Sequence, residues 1–204
     1  LNTARRTMAG AGLQTAALTF GGQASPGATN ATEAYNGSSW TAVNPLTTAR
    51  NNIAGDGTQT SALAFGGKVA PARSKLTELW NGTNWAEVND LNTARESLGG
   101  FGSSNTNALA FGGEVPPSTV NTETWNGTNW TEVNNLNAVG TGMAGAGTNT
   151  AGLAFGGDRG GDSAITELWN GTNWTEVNDL NTARNSLGGA GIQTAALAFG
   201  GSTP

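Results

Sequence analysis

Apolar residues along the chain fall in short runs, each closed by glycine or asparagine, as in TAALAFGG (Thr194 to Gly201), TELWNG (Thr166 to Gly171) and NWTEVN (Asn173 to Asn178). No window places apolar residues at i, i+3, i+4 and i+7 among good helix formers, so the pattern predicts strands and no helix. Glycine-rich stretches such as GMAGAG (Gly142 to Gly147) and SLGGAG (Ser186 to Gly191) precede the apolar runs and read as further strands. The Asn-Gly pair inside WNGTNW predicts a tight hairpin, because both residues tolerate positive φ. Two glycines after each Phe allow a sharp exit that a larger side chain would block.

These segments recur. FGG begins at Phe20, Phe65, Phe111, Phe155 and Phe199, with spacings of 45, 46, 44 and 44 residues. An aromatic followed by Asn-Gly stands at Tyr35, Trp80, Trp125 and Trp169, with a second tryptophan five residues later at Trp40, Trp85, Trp130 and Trp174. The chain thus divides into repeats 1–45, 46–90, 91–135 and 136–179 and a half repeat 180–204, forming one domain over 1–204. Four antiparallel strands at this period predict an all-β protein, a β-propeller with one blade per repeat. The arithmetic gives five blades, the last incomplete. Small residues of the first strand belong where inner strands crowd together, and Phe and Trp belong where blade packs on blade. The incomplete blade stays half-built, is completed by another chain (a homo-oligomer included), or continues into a longer array; its open edge would be a pairing site. The start at Leu1, in mid-phrase of the repeat, is what an excised or processed piece would show.

Gly-Gly closing the second strand, then Glu-x-aromatic, then a Trp opening the fourth strand resembles the kelch repeat, and the resemblance covers all four full repeats and the half. The WNGTNW link is shorter than the usual kelch link, and the period lies below the roughly 50 residues of kelch. The WD40 signatures Gly-His and Trp-Asp are absent. The wording WNGTNWTEVN…LNTAR is also similar to repeats of marine phage tail-fibre or other structural proteins, which implies display on a virion or an extracellular surface.

Composition narrows the chemistry. The net charge of −5 is thinly spread with no basic stripe, which argues against nucleic acid as a partner. No apolar run reaches the roughly 18 residues of a membrane-spanning helix. The chain has no Cys and no His. Disulfides, thiolate nucleophiles, Cys-based zinc sites and the commonest general base are therefore excluded. Copper oxidases built on kelch repeats need Cys, His and Tyr, of which only Tyr35 remains. No metal, cofactor or catalytic residue is expected, and the chain is not read as an enzyme.

Candidate binding residues come in two kinds. Glu33, Glu78, Glu123 and Glu167 recur two residues before the aromatic of the third strand. Either they ring a cation or a sugar, or they pair with the recurring Arg5, Arg50, Arg95 and Arg184; pairing is preferred because groups present in every repeat serve the frame. Gly140 replaces the arginine of one copy, which predicts one glutamate without a partner. The tryptophans suit sugar stacking but more readily pack between blades. The sequons at Asn81, Asn126, Asn129, Asn170 and Asn173 carry meaning only in a eukaryotic secretory route. The second kind lies in the loops between the second and third strands, where the repeats diverge: GQASPGATNA, GKVAPARSKL, GEVPPSTVN and GDRGGDSAI. Loops on a rigid scaffold commonly carry binding residues. These hold most of the nonrepeated charges: Lys68, Arg73, Lys75, Glu114, Asp158, Arg159 and Asp162. They would meet a glycan or a protein; neutral drift in solvated loops is the other reading. Asp158 and Asp162 alone are a weak calcium signal. The functional expectation is a non-catalytic binding or structural module. A carboxylate-based glycan hydrolase and a purely architectural segment of a larger array are the alternatives.

Overall fold

The computed structural model describes residues 1–204, and every regular element is a strand. The first repeat forms an antiparallel sheet of β1 (Ala9–Leu13), β2 (Ala16–Phe20), β3 (Thr32–Tyr35) and β4 (Trp40–Val43), in that order. The second contains β5 (Ala54–Thr58) and β6 (Ser61–Phe65), a two-residue-per-arm hairpin β7 (Lys68–Val69) and β8 (Ala72–Arg73), then β9 (Thr77–Trp80) and β10 (Trp85–Val88). Its four long strands pair in chain order, with β7 and β8 as a separate sheet. The third and fourth repeats give β11 (Gly99–Ser104) to β14 (Trp130–Val133) and β15 (Ala144–Thr148) to β18 (Trp174–Val177). Between them lie β12 (Asn107–Phe111) and β13 (Thr122–Trp125), and β16 (Ala151–Phe155) and β17 (Thr166–Trp169). The half repeat gives a two-stranded sheet, β19 (Gly188–Ile192) with β20 (Ala195–Phe199). No sheet closes on itself.

The expected tight hairpin joins the third and fourth strands of each full repeat, and of its Asn-Gly pair one residue alone uses the tolerance for positive φ. That residue is the glycine, at +93° in Gly82. Asn81 instead accepts the amides of Thr83 and Asn84 on its side-chain oxygen, at 3.0 and 2.9 Å. Asn36, Asn126 and Asn170 repeat the device. This Asx turn fixes the register that sets Trp80 opposite Trp85, with ring centroids 5.3 Å apart.

First strands of successive repeats lie against one another in chain order: β1 on β5, β5 on β11, β11 on β15 and β15 on β19. Glycine at the second position of each later strand permits this approach. A Cβ on Gly55 would sit 2.3 Å from the ring of Phe20, and one on Gly100 would sit 2.5 Å from Phe65. The Phe ring of one repeat therefore fills the space above a glycine of the next. The same Phe meets the fourth-strand tryptophan of that next repeat, as Phe20 meets Trp85 at 4.8 Å and Phe65 meets Trp130 at 5.0 Å. Each of those tryptophans also donates its Nε1 back to a buried threonine of the preceding repeat, Trp85 to Thr32 and Trp130 to Thr77. The core clusters accordingly straddle consecutive repeats rather than filling one sheet. The expectation that Phe and Trp pack between sheets holds.

Replacing Phe65 by Ala should destabilise the protein by about 3–5 kcal/mol, because the fully buried ring leaves a cavity against Gly100 and Trp130. Urea denaturation followed by tryptophan fluorescence measures the loss.

Candidate functional site

The loops after the second strand are held by the frame at both ends. The second glycine of each FGG donates its amide to the linker leading into the next sheet: Gly22 to Arg50 O, Gly67 to Arg95 O, Gly113 to Gly140 O and Gly157 to Arg184 O, at 2.8–2.9 Å. Both glycines are required. At Gly66 (φ +65°) a Cβ would lie 2.9 Å from Arg95 O, and at Gly67 (φ +95°) 2.7 Å from Asn51 O. The loop's return is pinned by an amide donating to that same second glycine, Ser74 to Gly67 O at 2.8 Å and Ser163 to Gly157 O at 2.9 Å. Short bridges then make each loop a miniature hairpin: Gln23 with Ala28, β7 with β8, Glu114 with Ser118, and Asp158 with Asp162.

The recurring carboxylates belong to the frame. Glu78 takes the guanidinium of Arg50 on Oε1 at 2.9 Å and the amide of Thr47 on Oε2 at 2.6 Å. Glu123 does the same with Arg95 and Asn92, at 2.8 Å each. Glu33 pairs with Arg5 at 3.1 Å and accepts the Asn2 amide. Both ends of each linker are thereby stapled to one buried carboxylate. The arginines also donate to main-chain carbonyls, Arg50 to Gly66 O and Leu76 O. Burial lowers the pKa of Arg50 and Arg95, opposed by Glu78 and Glu123 respectively.

The expected unpartnered glutamate is not found. Glu167 faces Gly140 in place of an arginine, yet Arg159 reaches in from the variable loop to pair with it at 3.2 Å and to donate to Ala138 O at 2.9 Å. The missing Cβ of Gly140 makes room: a side chain there would press on Arg159 Cγ at 3.3 Å and Met143 Sδ at 2.9 Å. The guanidinium has moved from linker to loop.

The remaining loop charges separate into groups. Lys68, Arg73 and Glu114 gather around Glu96, which is buried and whose Oε1 lies 3.6 Å from Lys68 Nζ and 3.5 Å from Arg73 Nε. Arg73 bridges on to Glu114, and Asn52 donates to the other oxygen of Glu96 at 2.8 Å. Lys75 lies apart, paired with Asp90 at 3.7 Å. Asp158 caps its own turn by accepting the amides of Gly160 and Gly161 at 2.9 Å each. Asp162 accepts from the Asn185 side chain. No group of three or more carboxylate, imidazole or thiol side chains converges as a metal site.

Between the third and fourth loops runs a groove of about 720 Å³. Pro116, Pro117 and Val139 supply apolar wall, Glu114 and Asp158 supply charge, and Arg159 lines the groove while its guanidinium pairs with buried Glu167. Val139 and Gly140 stand where the other copies have Ala-Arg, so the groove opens at the point where the linker departs from the repeat. That substitution was the available sequence signal for both the relocated arginine and the groove.

Asp56 escaped the sequence reading altogether, although it is the one charge in any first strand. It stands where the other first strands carry Ala or Phe, opposite Leu63, and points at Gly102 of the next sheet, whose added Cβ would lie 2.2 Å from Oδ2. Desolvation pushes its carboxyl up to about 7, with the Gly57 amide pulling the other way.

No protein-family model matches the chain, and no curated protein matches it.

Two outcomes test these placements. Arg159→Ala should cost roughly 3–5 kcal/mol by leaving Glu167 buried without its partner, and the double change Arg159→Ala with Glu167→Gln should recover part of that loss in urea denaturation. Asp56, with a folded pKa above the ordinary 3.8, keeps its proton in the native state where the unfolded chain has lost it. Stability should thus fall as pH rises from about 4 through about 7 and level off above. Asp56→Asn should flatten that part of the profile in thermal melts at a series of pH values.

Proposed function

We propose that the chain is a non-catalytic binding or structural module, a kelch-like β-propeller of five blades with the last half-built. It is displayed on a virion or other extracellular surface, as in a phage tail fibre, and its variable loops meet a glycan or a protein. The groove between the third and fourth loops carries this reading. It combines apolar wall with two carboxylates, on loops whose ends are fixed by the frame while their sequences differ. The four sheets of four antiparallel strands and the packing of successive first strands support the propeller-like arrangement.

A glycan hydrolase is the second reading, because Glu114 and Asp158 both line the groove. Against it, Glu114 is engaged by Arg73 and Asp158 by two amides of its own turn, so neither carboxylate is held ready for proton transfer. A glycan array paired with a hydrolysis assay separates the two. The module should retain one glycan class without turnover, and Val139→Arg, which plants a long side chain in the groove from an exposed position, should weaken retention at least tenfold. Turnover abolished by Glu114→Gln or Asp158→Asn would replace the binding reading with the hydrolytic one. No retention of any glycan would leave a protein ligand or the architectural role.

A further inference from the structure

Side chains bridge neighbouring loops at every junction between repeats but one. The crossing is made by the residue after each frame arginine, or after Gly140 in its place. Asn51 donates to Gln23 of the first loop, Glu96 takes Lys68 and Arg73 of the second at 3.6 and 3.5 Å, and Asn185 donates to Asp162 of the fourth. Thr141 pairs through its main chain with Asp158 and sends no side chain across to the third loop. The groove of about 720 Å³ lies where that bridge is missing.

Its walls set what a ligand must bring. Glu114 gives one carboxylate oxygen to Arg73, and Asp158 gives one to the amides of Gly160 and Gly161. Oε2 of the first and Oδ2 of the second hold no donor from the protein. Arg159 does not offset them, because its guanidinium is committed to Glu167. The second junction shows how this chain joins two loops across the same gap, with the cations of Lys68 and Arg73 on the carboxylate of Glu96. A cation is therefore the complement of the third gap, where a charge-assisted hydrogen bond is roughly twice as strong as a neutral one. The rest of the lining selects what carries the cation. Ser118 and Thr141 offer hydroxyls that no protein group occupies, beside the apolar wall of Pro116, Pro117 and Val139. That mixture suits a sugar ring, which has hydroxyls at its rim and C–H bonds on its face. No aromatic side chain lines the groove, so a neutral sugar would find no ring to stack on and charge must supply the grip.

We infer that the groove takes a glycan carrying free amines, with an ammonium set between Glu114 and Asp158 and the sugar ring against the proline–valine wall. The inference rests on the binding reading above and names the glycan class for it.

Isothermal titration calorimetry with a glucosamine tetramer, its amines protonated, tests this against the N-acetylated tetramer and against tetralysine. The glucosamine tetramer should bind, and the acetylated one, which carries no charge, should bind weaker by about tenfold or more. Asp158→Asn should weaken the glucosamine tetramer by a similar factor. It keeps the turn, because an asparagine oxygen accepts the same two amides, as at Asn81. Glu176→Gln removes an equal charge from an exposed position on β18 and should leave binding unchanged. Equal losses from Asp158→Asn and Glu176→Gln would overturn the inference, since they mark diffuse attraction to an acidic chain. Tetralysine bound as tightly as the glucosamine tetramer would overturn it in favour of a basic protein partner. Retention of a neutral or acidic glycan on the array, without the amine-bearing ones, would overturn it and leave the binding reading standing. An array with no retained glycan would overturn it together with the glycan form of that reading.

Discussion

The pairing of one buried carboxylate with both ends of a linker is the constraint on which the rest is arranged. Glu78 holds Thr47 by its amide and Arg50 by its guanidinium, and Arg50 in turn holds the carbonyls of Gly66 and Leu76. A buried ion pair gains little over a well-packed apolar pair, because desolvation offsets most of the attraction. What this one contributes is position. It fixes where the chain enters each sheet, where the second strand ends and where the third begins. The fourth sheet shows that the charge is needed more than its place in the chain. With Gly140 in the linker, a loop arginine travels to the same carboxylate.

Much of this was legible before any coordinates, and the reasons are local. Thr-Glu-x-Trp alternates with period two, Asn-Gly marks its turn, and Gly-Gly marks its exit, so the four long strands of each full repeat and their order followed from the residues themselves, whereas the short β7–β8 hairpin did not. Recurrence also separated frame from loop, since Glu78 and Arg50 could be matched by their copies alone. The failures share a different cause. Arg159 looked like a solvated loop charge because its partner lies across a space opened by the absence of a side chain at Gly140, and a missing Cβ has no pattern in a single copy. Asp56 was passed over because its neighbours read as a small-residue strand, and its burial depends on the next sheet. The groove required knowing that two loops from different repeats lie side by side.

The loops vary under tight restraint. Each leaves through two glycines whose backbone no other residue could adopt without meeting a carbonyl, and each returns to the second of them. Between those pins a few residues fold as a hairpin, so changes there alter the lining of the groove without disturbing the strands below. Two of the seven loop charges singled out by their irregularity, Glu114 and Asp158, face the groove while also serving a loop-level contact. Arg159 does both as well, with its guanidinium turned toward the frame.

The indole hydrogen bonds that reach back across each junction give the molecule a one-dimensional character. Trp85, Trp130 and Trp174 each tie a sheet to the one before it and to no other. Cooperativity then passes only between neighbours, as in repeat arrays whose free energy is a sum over units and junctions. The sheet of β19 and β20 is joined to the array by its first strand, by Gln193 and by main-chain bonds of its linker, among them Gly157 N to Arg184 O and Ser186 N to Gly142 O. Losing one indole tie therefore loosens one junction and leaves the others standing.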